Sequence, residues 1–452
     1  MRSPGCTRSI CPGAFRRVRA PTRTSRSLVT ITKSQLSSLH ARWRYLSAEA
    51  VVGGIRGLVT LGRVDDLHIL GAGPAGAFLA LRAAHRGLRP HIHDPRGLRV
   101  WPATYGILDA QHLPSWLLPY LSAPYELRVV ARETVSPDFH YRILDNAAVV
   151  EAVRQVAVVH TESVDAEGIR QLSSVSAASS ALPVVDCTGA PRDNAAFQIA
   201  VGVVMDKAAE PTFMDWSPSG ELPSFLYVQN LPDGTLFEET LLAHRLRPSA
   251  EEYHRVVAQL REQLRDRLDA QGVVARDAFD SAVLREEHVC IPMGTRAQAR
   301  DGSVCFGARA GLINPATGYS VAHSAAWADT LLDEILGIRQ SWRRWVAAQA
   351  NKELAFWLRN LGAELIMRAE GDTLQDFFQH FFRLETQHQV AYLEGHNGLG
   401  VARTMWTLRK HTGIRHAFLQ PLWRSPWRIL GHTLRRGRRQ CQASRRYTEK
   451  PR

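Results

Sequence analysis

Gly71-Ala72-Gly73-Pro74-Ala75-Gly76 constrains the fold of this chain more than any other segment, because it reads G-x-G-x-x-G and sits between two kinds of pattern. Before it, Leu67-His68-Ile69-Leu70 has the content of a short buried strand; after it, apolar residues recur at helical spacing from Ala75 to Arg86. Arg89-Pro90-His91-Ile92-His93-Asp94 then reads as a second strand ending in an acid. Strand, glycine turn, helix, strand and acid in this order form a βαβ unit that holds a dinucleotide. Gly71 permits the tight turn, Gly73 lets a pyrophosphate approach the backbone, and Gly76 lets helix and strand pack closely. The helix N-terminus offers N–H donors and the positive end of its dipole. Asp94 is placed to accept hydrogen bonds from ribose hydroxyls. A glycine turn without a ligand is the plain alternative, and the correctly placed flanks argue against it.

A second glycine-rich segment decides between nucleotides. Gly307-Ala308-Arg309-Ala310-Gly311, then Asn314-Pro315-Ala316-Thr317-Gly318-Tyr319, precedes another helical stretch. It resembles the second flavin-contacting segment of the glutathione-reductase-like fold, which would bring Gly307, Gly311, Pro315 and Gly318 to the cofactor. Many flavoproteins carry an Asp after the first of these glycines, where this chain has Ala308. FAD is favoured over NAD as the resident cofactor.

At 452 residues the chain exceeds the roughly 250–300 at which one core stops growing. The expected α/β architecture is a Rossmann-type FAD-binding domain over 64–205 and 285–340, interrupted by a mixed-sheet substrate domain over 206–284. A basic extension over 1–63 precedes it, and a helical region over 341–452 with a basic tail follows. The alternating text from Pro223 to Arg245 belongs to the inserted sheet. The net charge of +13 gathers at the ends: no acid precedes Glu49, and Arg crowds the stretch after Arg403. A core of mixed sign excludes specific nucleic-acid binding, whereas a basic end suits an anionic surface. Residues 1–63, rich in Arg, Ser and Thr, read as a transit-like segment or as an over-extended start ahead of Val59 or Val64; the preference for Arg over Lys throughout favours the second. The six cysteines show no C-x-x-C pair, and no apolar run is long enough to span a bilayer.

Further strings follow in a definite order. Trp101-Pro102-Ala103-Thr104-Tyr105-Gly106 comes after Asp94, and Phe213-Met214-Asp215-Trp216 after Asp186-Cys187-Thr188-Gly189. Phe225-Leu226-Tyr227 leads to Phe237-Glu238-Glu239-Thr240, and Ile291-Pro292-Met293-Gly294 precedes the second glycine-rich segment. Phe377-Phe378 and Phe381-Phe382 close the set. From about residue 65 to 395 it resembles the lycopene cyclases of plants, cyanobacteria and some bacteria. The resemblance implies acid-catalysed closure of acyclic carotenoid ends into β rings without net oxidation, with lycopene as substrate. It also implies reduced FAD that is not consumed and NAD(P)H as a visiting reductant, for which no second G-x-G-x-x-G is present.

That chemistry needs a protonated acid in an apolar cavity. A carboxyl removed from water has a raised pKa and can keep its proton near neutrality. Glu238 and Glu239 are the candidate catalytic pair. On a strand their side chains face opposite ways, so only one meets the substrate. Position in the family's motif selects Glu238 and leaves Glu239 supporting or exposed. A solvated sheet edge is the plain alternative for consecutive glutamates. Phe213, Asp215, Trp216, Phe225, Tyr227 and Phe237 are candidate lining for a polyene, their rings offering π faces to a cation. Core packing accounts equally for each aromatic taken singly.

Two places depart from the family's pattern: Ile107-Leu108-Asp109-Ala110-Gln111, where relatives have an aromatic and an acidic pair, and Asn314, often His. Trp406, Trp423 and Trp427 among Arg409, Lys410, Arg424 and Arg428 read as a segment lying on a membrane surface. The expected location is therefore the bacterial cytoplasm, peripheral to the membrane, with a plastid as the alternative. A flavin monooxygenase or isoprenoid reductase on the same fold, or a noncatalytic carotenoid-binding paralogue, are the rival readings.

Overall fold

The computed structural model describes residues 65–438 except 110–112, 177–181, 192–195, 219, 246–249, 297–298, 301, 339–341, 395–396 and 414. The N-terminal extension, Ala110, Gln111 and the end of the basic tail lie outside the described residues.

The first βαβ unit opens a five-stranded parallel sheet in the order Ser303–Cys305, Val184–Asp186, Asp66–Leu70, Arg89–His93, Val158–His160. Parallel neighbours require crossovers, and helix Pro74–His85 makes the first one. Its Ala77, Phe78 and Ala80 pack with Leu67, Ile69 and Ile92 of the sheet, all of them fully buried. The predicted strand, helix and second strand are all present, each displaced by no more than about a residue from its expected bounds.

A second sheet has seven strands in the order Val283–Met293, Ala196–Met205, Gly234–His244, Phe225–Leu231, Thr212–Asp215, Val129–Val130, Thr134–Val135. It is antiparallel except where Thr212–Asp215 runs parallel to Val129–Val130, so it is mixed. Its strands begin before and end after the 206–284 expected for the insert. Every residue of Ala196–Met205 is buried, so that strand shows no alternation to announce it. One face of the sheet packs on helix Ala250–Ala270 through Val256, Leu260, Leu264 and Leu268. The opposite face meets the glycine-rich segment and the C-terminal helices. Those are Trp342–Ile366, Gly371–Phe382, Thr386–Leu393 and Gly398–Thr412, in keeping with the helical region predicted there.

Candidate active site

Two of the three turn glycines answer a steric demand within the fold. Gly71 adopts φ 98°, and a Cβ there would lie 2.9 Å from the Cys187 carbonyl oxygen. At Gly76 a Cβ would meet the Gly71 carbonyl oxygen at 2.1 Å, so the helix could not sit against the turn. A Cβ on Gly73 would meet nothing within 4 Å; its absence leaves open space at the N-terminus of helix Pro74–His85. Asp94 is buried and accepts from the backbone N–H groups of Ala72 at 3.0 Å and Arg96 at 2.9 Å, which fixes it against the turn. Trp101 Nε1 donates to the Ala72 carbonyl at 2.8 Å, tying the 101–106 segment to the same turn.

The second glycine-rich segment packs directly on this unit. Gly307, at φ 62°, approaches so closely that a Cβ would fall 2.3 Å from Ala75 Cβ. Gly311 ends the short helix Gly307–Ala310 in a left-handed conformation. Gly318, at φ 77°, presses on Gln198 of the second sheet, and Pro315 lies in the turn between them. Asn314 donates to the Tyr392 and Leu393 carbonyls at 3.2 and 3.0 Å and accepts from Ala316 N–H at 3.0 Å. The departure at 314 thus fastens this turn to helix Thr386–Leu393. At the other departure, Ile107 and Leu108 are buried and Asp109 pairs with Arg142 at 2.7 Å.

Glu238 lies inside the second sheet, paired on both sides. It stands opposite Tyr227 on one neighbouring strand and Gly202 on the other, and Gly202 stands opposite Glu287 on the strand beyond. Opposed residues share a face, so Tyr227, Glu238, Gly202 and Glu287 form one row. Gly202 keeps that row open: a Cβ there would lie 2.8 Å from Leu236 and 3.4 Å from Glu238. Tyr227 and Glu238 line a cavity of about 120 Å³ bordered by Thr104–Leu108 and Thr317–His323. Burial pushes the Glu238 carboxyl up to about 7; the Glu287 carboxylate adds to this, while the Thr240 hydroxyl, donating at 3.1 Å, works against it. The phenols of Tyr141, Tyr227 and Tyr319 share the cavity and are raised by burial, so they remain neutral donors.

Glu239 is neither exposed nor at a sheet edge. It points to the opposite face, fully buried, where Arg267 Nε and Nη2 donate to its two oxygens at 2.9 Å each and Ser224 Oγ donates at 2.5 Å. Arg267 also donates to the Ser217 carbonyl at 2.6 Å. Asp215, expected among the lining residues, belongs to this network instead: it accepts from Gln271 at 2.9 Å and from Ser217 N–H at 2.8 Å. Phe237 is likewise not brought to the cavity, because it alternates with Glu238 and packs with Leu264, Leu268 and Phe279. Phe213 lies behind Tyr227, with ring centroids 5.6 Å apart, and Trp216 stacks on Phe378 at 4.6 Å and tilts against Phe225 at 4.8 Å. Phe213, Trp216 and Phe225 therefore form a backing layer with the C-terminal Phe helix, and Tyr227 alone among the aromatic candidates reaches the cavity wall.

Tyr141, Glu287, Glu394 and His323 escaped the sequence reading. Glu287 accepts from Thr104 through N–H at 2.8 Å and Oγ1 at 2.6 Å and pairs with Arg285, which holds a buried negative charge in the row beside Glu238. Its sequence signal is a second adjacent pair, Glu286-Glu287, split between two faces of a strand as Glu238-Glu239 is. Glu394 also lines the cavity, and burial raises its carboxyl to about 8, against the pull of Arg359 and with help from Asp109. Burial lowers His323 to about 4, so its neutral ring donates from Nδ1 to the Leu312 carbonyl at 3.2 Å. Lone residues in helical text carry no spacing signal that would have found the last two.

Residues 66–399 match the family described as lycopene cyclase protein. A Deinococcus radiodurans protein described as an uncharacterized carotenoid cyclase is 30% identical over 388 residues, covering 78% of this chain and 91% of its own. The chloroplastic lycopene beta cyclase of Solanum lycopersicum is 24% identical over 394 residues, 74% of each chain. Among solved structures, a geranylgeranyl bacteriochlorophyll reductase-like protein from Thermoplasma acidophilum superposes with a TM-score of 0.50 at 12% identity, over 80% of this chain and 98% of that one, a likeness of fold.

Proposed function

The chain belongs to the lycopene cyclase family, and on that premise we propose that it closes the acyclic ends of a carotenoid such as lycopene into β rings, with Glu238 as the acid. The observation that carries this reading is a carboxyl whose pKa burial raises to about 7, on the wall of a cavity lined by both apolar and neutral polar side chains, inside a sheet. Protonated Glu238 gives its proton to the terminal double bond. The tertiary cation so formed is attacked by a double bond further along the chain, closing a six-membered ring. Loss of a ring proton to the Glu238 carboxylate resets the acid, so substrate and product are isomers. The rings of Tyr227, Tyr141 and Tyr319 face the same space and offer π density to the cation. Glu287 keeps the Glu238 proton in place by adding negative charge beside it.

FAD fits the first turn: the open space at Gly73, the helix N-terminus, and Asp94 locked beside Ala72 suit its pyrophosphate and ribose, and Thr317 and Gly318 at the end of the second glycine-rich segment line the cavity. Reduced FAD, when bound, supplies an electron-rich ring to stabilise positive charge, with NAD(P)H as its reductant. Trp406, Trp423 and Trp427 are exposed beside Arg409, Arg424 and Arg428, which supports docking on an anionic membrane from which the substrate is drawn. No helix among the described residues is long and apolar enough to cross a membrane.

Purified chain supplied with FAD, NADPH and lycopene in anionic vesicles tests the reaction class. The expected product has the mass of lycopene, and NADPH loss stays far below product formed. A hydroxylated or hydrogenated product with one NADPH spent per turnover would establish the monooxygenase or reductase chemistry instead.

A further inference from the structure

One face of the parallel sheet carries four histidines far apart in sequence. His68 stands opposite His91 and His93 opposite His160 in the strand register, and His91 and His93 share a face by the strand period. Their contacts form two relays. His68 Nδ1 meets His93 Nε2 at 3.0 Å, and His93 Nδ1 meets Glu162 Oε1 at 2.8 Å. His160 Nε2 meets His91 Nδ1 at 3.0 Å, and His91 Nε2 approaches Asp66 Oδ1 at 3.3 Å. Each relay spends the outward nitrogen of one inner ring on an outer histidine. His93 Nδ1 is left facing Glu162, and Nδ1 is the remaining nitrogen of His160.

One ligand atom from each of His93, His160 and Glu162 lies within 4.8 Å of the other two; the two inner rings stack 4.5 Å apart with planes 9° from parallel, so one ring must turn for both lone pairs to meet a shared ion. We propose that His93, His160 and Glu162 bind a divalent transition cation of the zinc class. Two imidazoles and a carboxylate select Zn²⁺, Ni²⁺ or Cu²⁺ over Mg²⁺ or Ca²⁺, and three protein ligands leave a position for water. His68 and the His91–Asp66 pair hold the distal nitrogens of the ligating rings, as the outer partners of metal-bound histidines do. Glu162 has a side chain 56% exposed, so it can swing to complete the coordination without disturbing the sheet. The ligand strands also hold the glycine turn, since Gly71 N–H donates to the His93 carbonyl at 2.8 Å and Asp94 N–H to the His160 carbonyl at 3.1 Å. A cation here would clamp the strand ends that carry that turn.

Isothermal titration of the untagged full chain with Zn²⁺ tests the site. One equivalent is expected to bind and to raise the thermal midpoint, with Glu162→Gln and His160→Ala each removing it and His91→Ala weakening it about 10- to 100-fold. Because Glu162 is exposed, loss in Glu162→Gln with an unchanged circular dichroism spectrum reports on the ligand and not on folding. His380→Ala, in a separate group of Asp376, His380 and His416, is expected to leave the equivalent in place. Absence of binding, or binding that survives Glu162→Gln and His160→Ala or follows His380 instead, would overturn the assignment.

Discussion

Replacing Arg267 by Met removes the guanidinium that holds Glu239 and leaves a carboxylate stranded in the sheet–helix core. The two side chains are 3% and 0% exposed, and the pair is joined by two hydrogen bonds of 2.9 Å. Removing one partner of a buried ion pair costs about 3–5 kcal/mol, since the remaining charge has lost its compensation. With an unfolding entropy of about 2.1 cal/mol/K per residue, a chain of this length turns about 4 kcal/mol into a fall of roughly 4–5 °C in thermal midpoint. Replacing both partners by apolar groups, Arg267→Met with Glu239→Leu, takes the stranded charge away and should recover most of that loss. Differential scanning calorimetry of the parent, both single variants and the double variant measures the coupling. The double variant should also still cyclise lycopene, because Glu239 faces away from the cavity. A single Arg267→Met variant as stable as the parent, or a double variant no better than it, would refute the reasoning about the pair; a stable double variant without activity would return Glu239 to the chemistry.

Activity that depends on protonated Glu238 should fall about tenfold per pH unit above pH 7. Thr240→Val, which removes a hydrogen bond to the carboxylate, should move that fall to higher pH, and Glu287→Gln, which removes a neighbouring charge, to lower pH; identical profiles for the two would contradict the assignment of causes. The same group, with its folded pKa above the unfolded one, contributes stability that is full below about 4.5 and is lost as pH rises through about 7. Gly73→Ala should fold as the parent does but lose flavin absorbance, whereas Gly76→Ala, with a Cβ 2.1 Å from a carbonyl oxygen, should lose thermal stability as well. Trp423→Ala with Trp427→Ala, at residues 61% and 83% exposed, should weaken binding to anionic vesicles at low salt without changing the thermal midpoint.

The parallel sheet was legible because glycine chemistry and strand content coincide within about thirty residues, from Leu67 to Asp94. Gly71 and Gly76 stand where a Cβ would clash, as the turn and packing glycines of the motif should, and Gly73 leaves open space at the helix N-terminus. The second sheet was half legible: Phe225–Leu231 and Gly234–His244 carry strand-rich aromatic and aliphatic text but are buried on both faces over most of their length, and Ala196–Met205, buried throughout, offers only an apolar run. Strand period alone separated Glu238 from Glu239, but it could not say which face had the cavity; that depends on helix Ala250–Ala270 covering the other one. The same parity removes Phe237 from the lining, a consequence already contained in its adjacency to Glu238. Glu394 and the four-histidine face arise from contacts between residues distant in sequence, for which a single chain carries no local pattern.

The measurement that bears most directly on the central claim is pigment chromatography from lycopene-accumulating bacteria expressing the parent chain, Glu238→Gln or Glu239→Gln, each checked for folded, flavin-loaded protein. The account predicts ring-containing carotenoids from the parent and from Glu239→Gln, and unchanged lycopene from Glu238→Gln. Cyclised product from Glu238→Gln at the parent's level would contradict it.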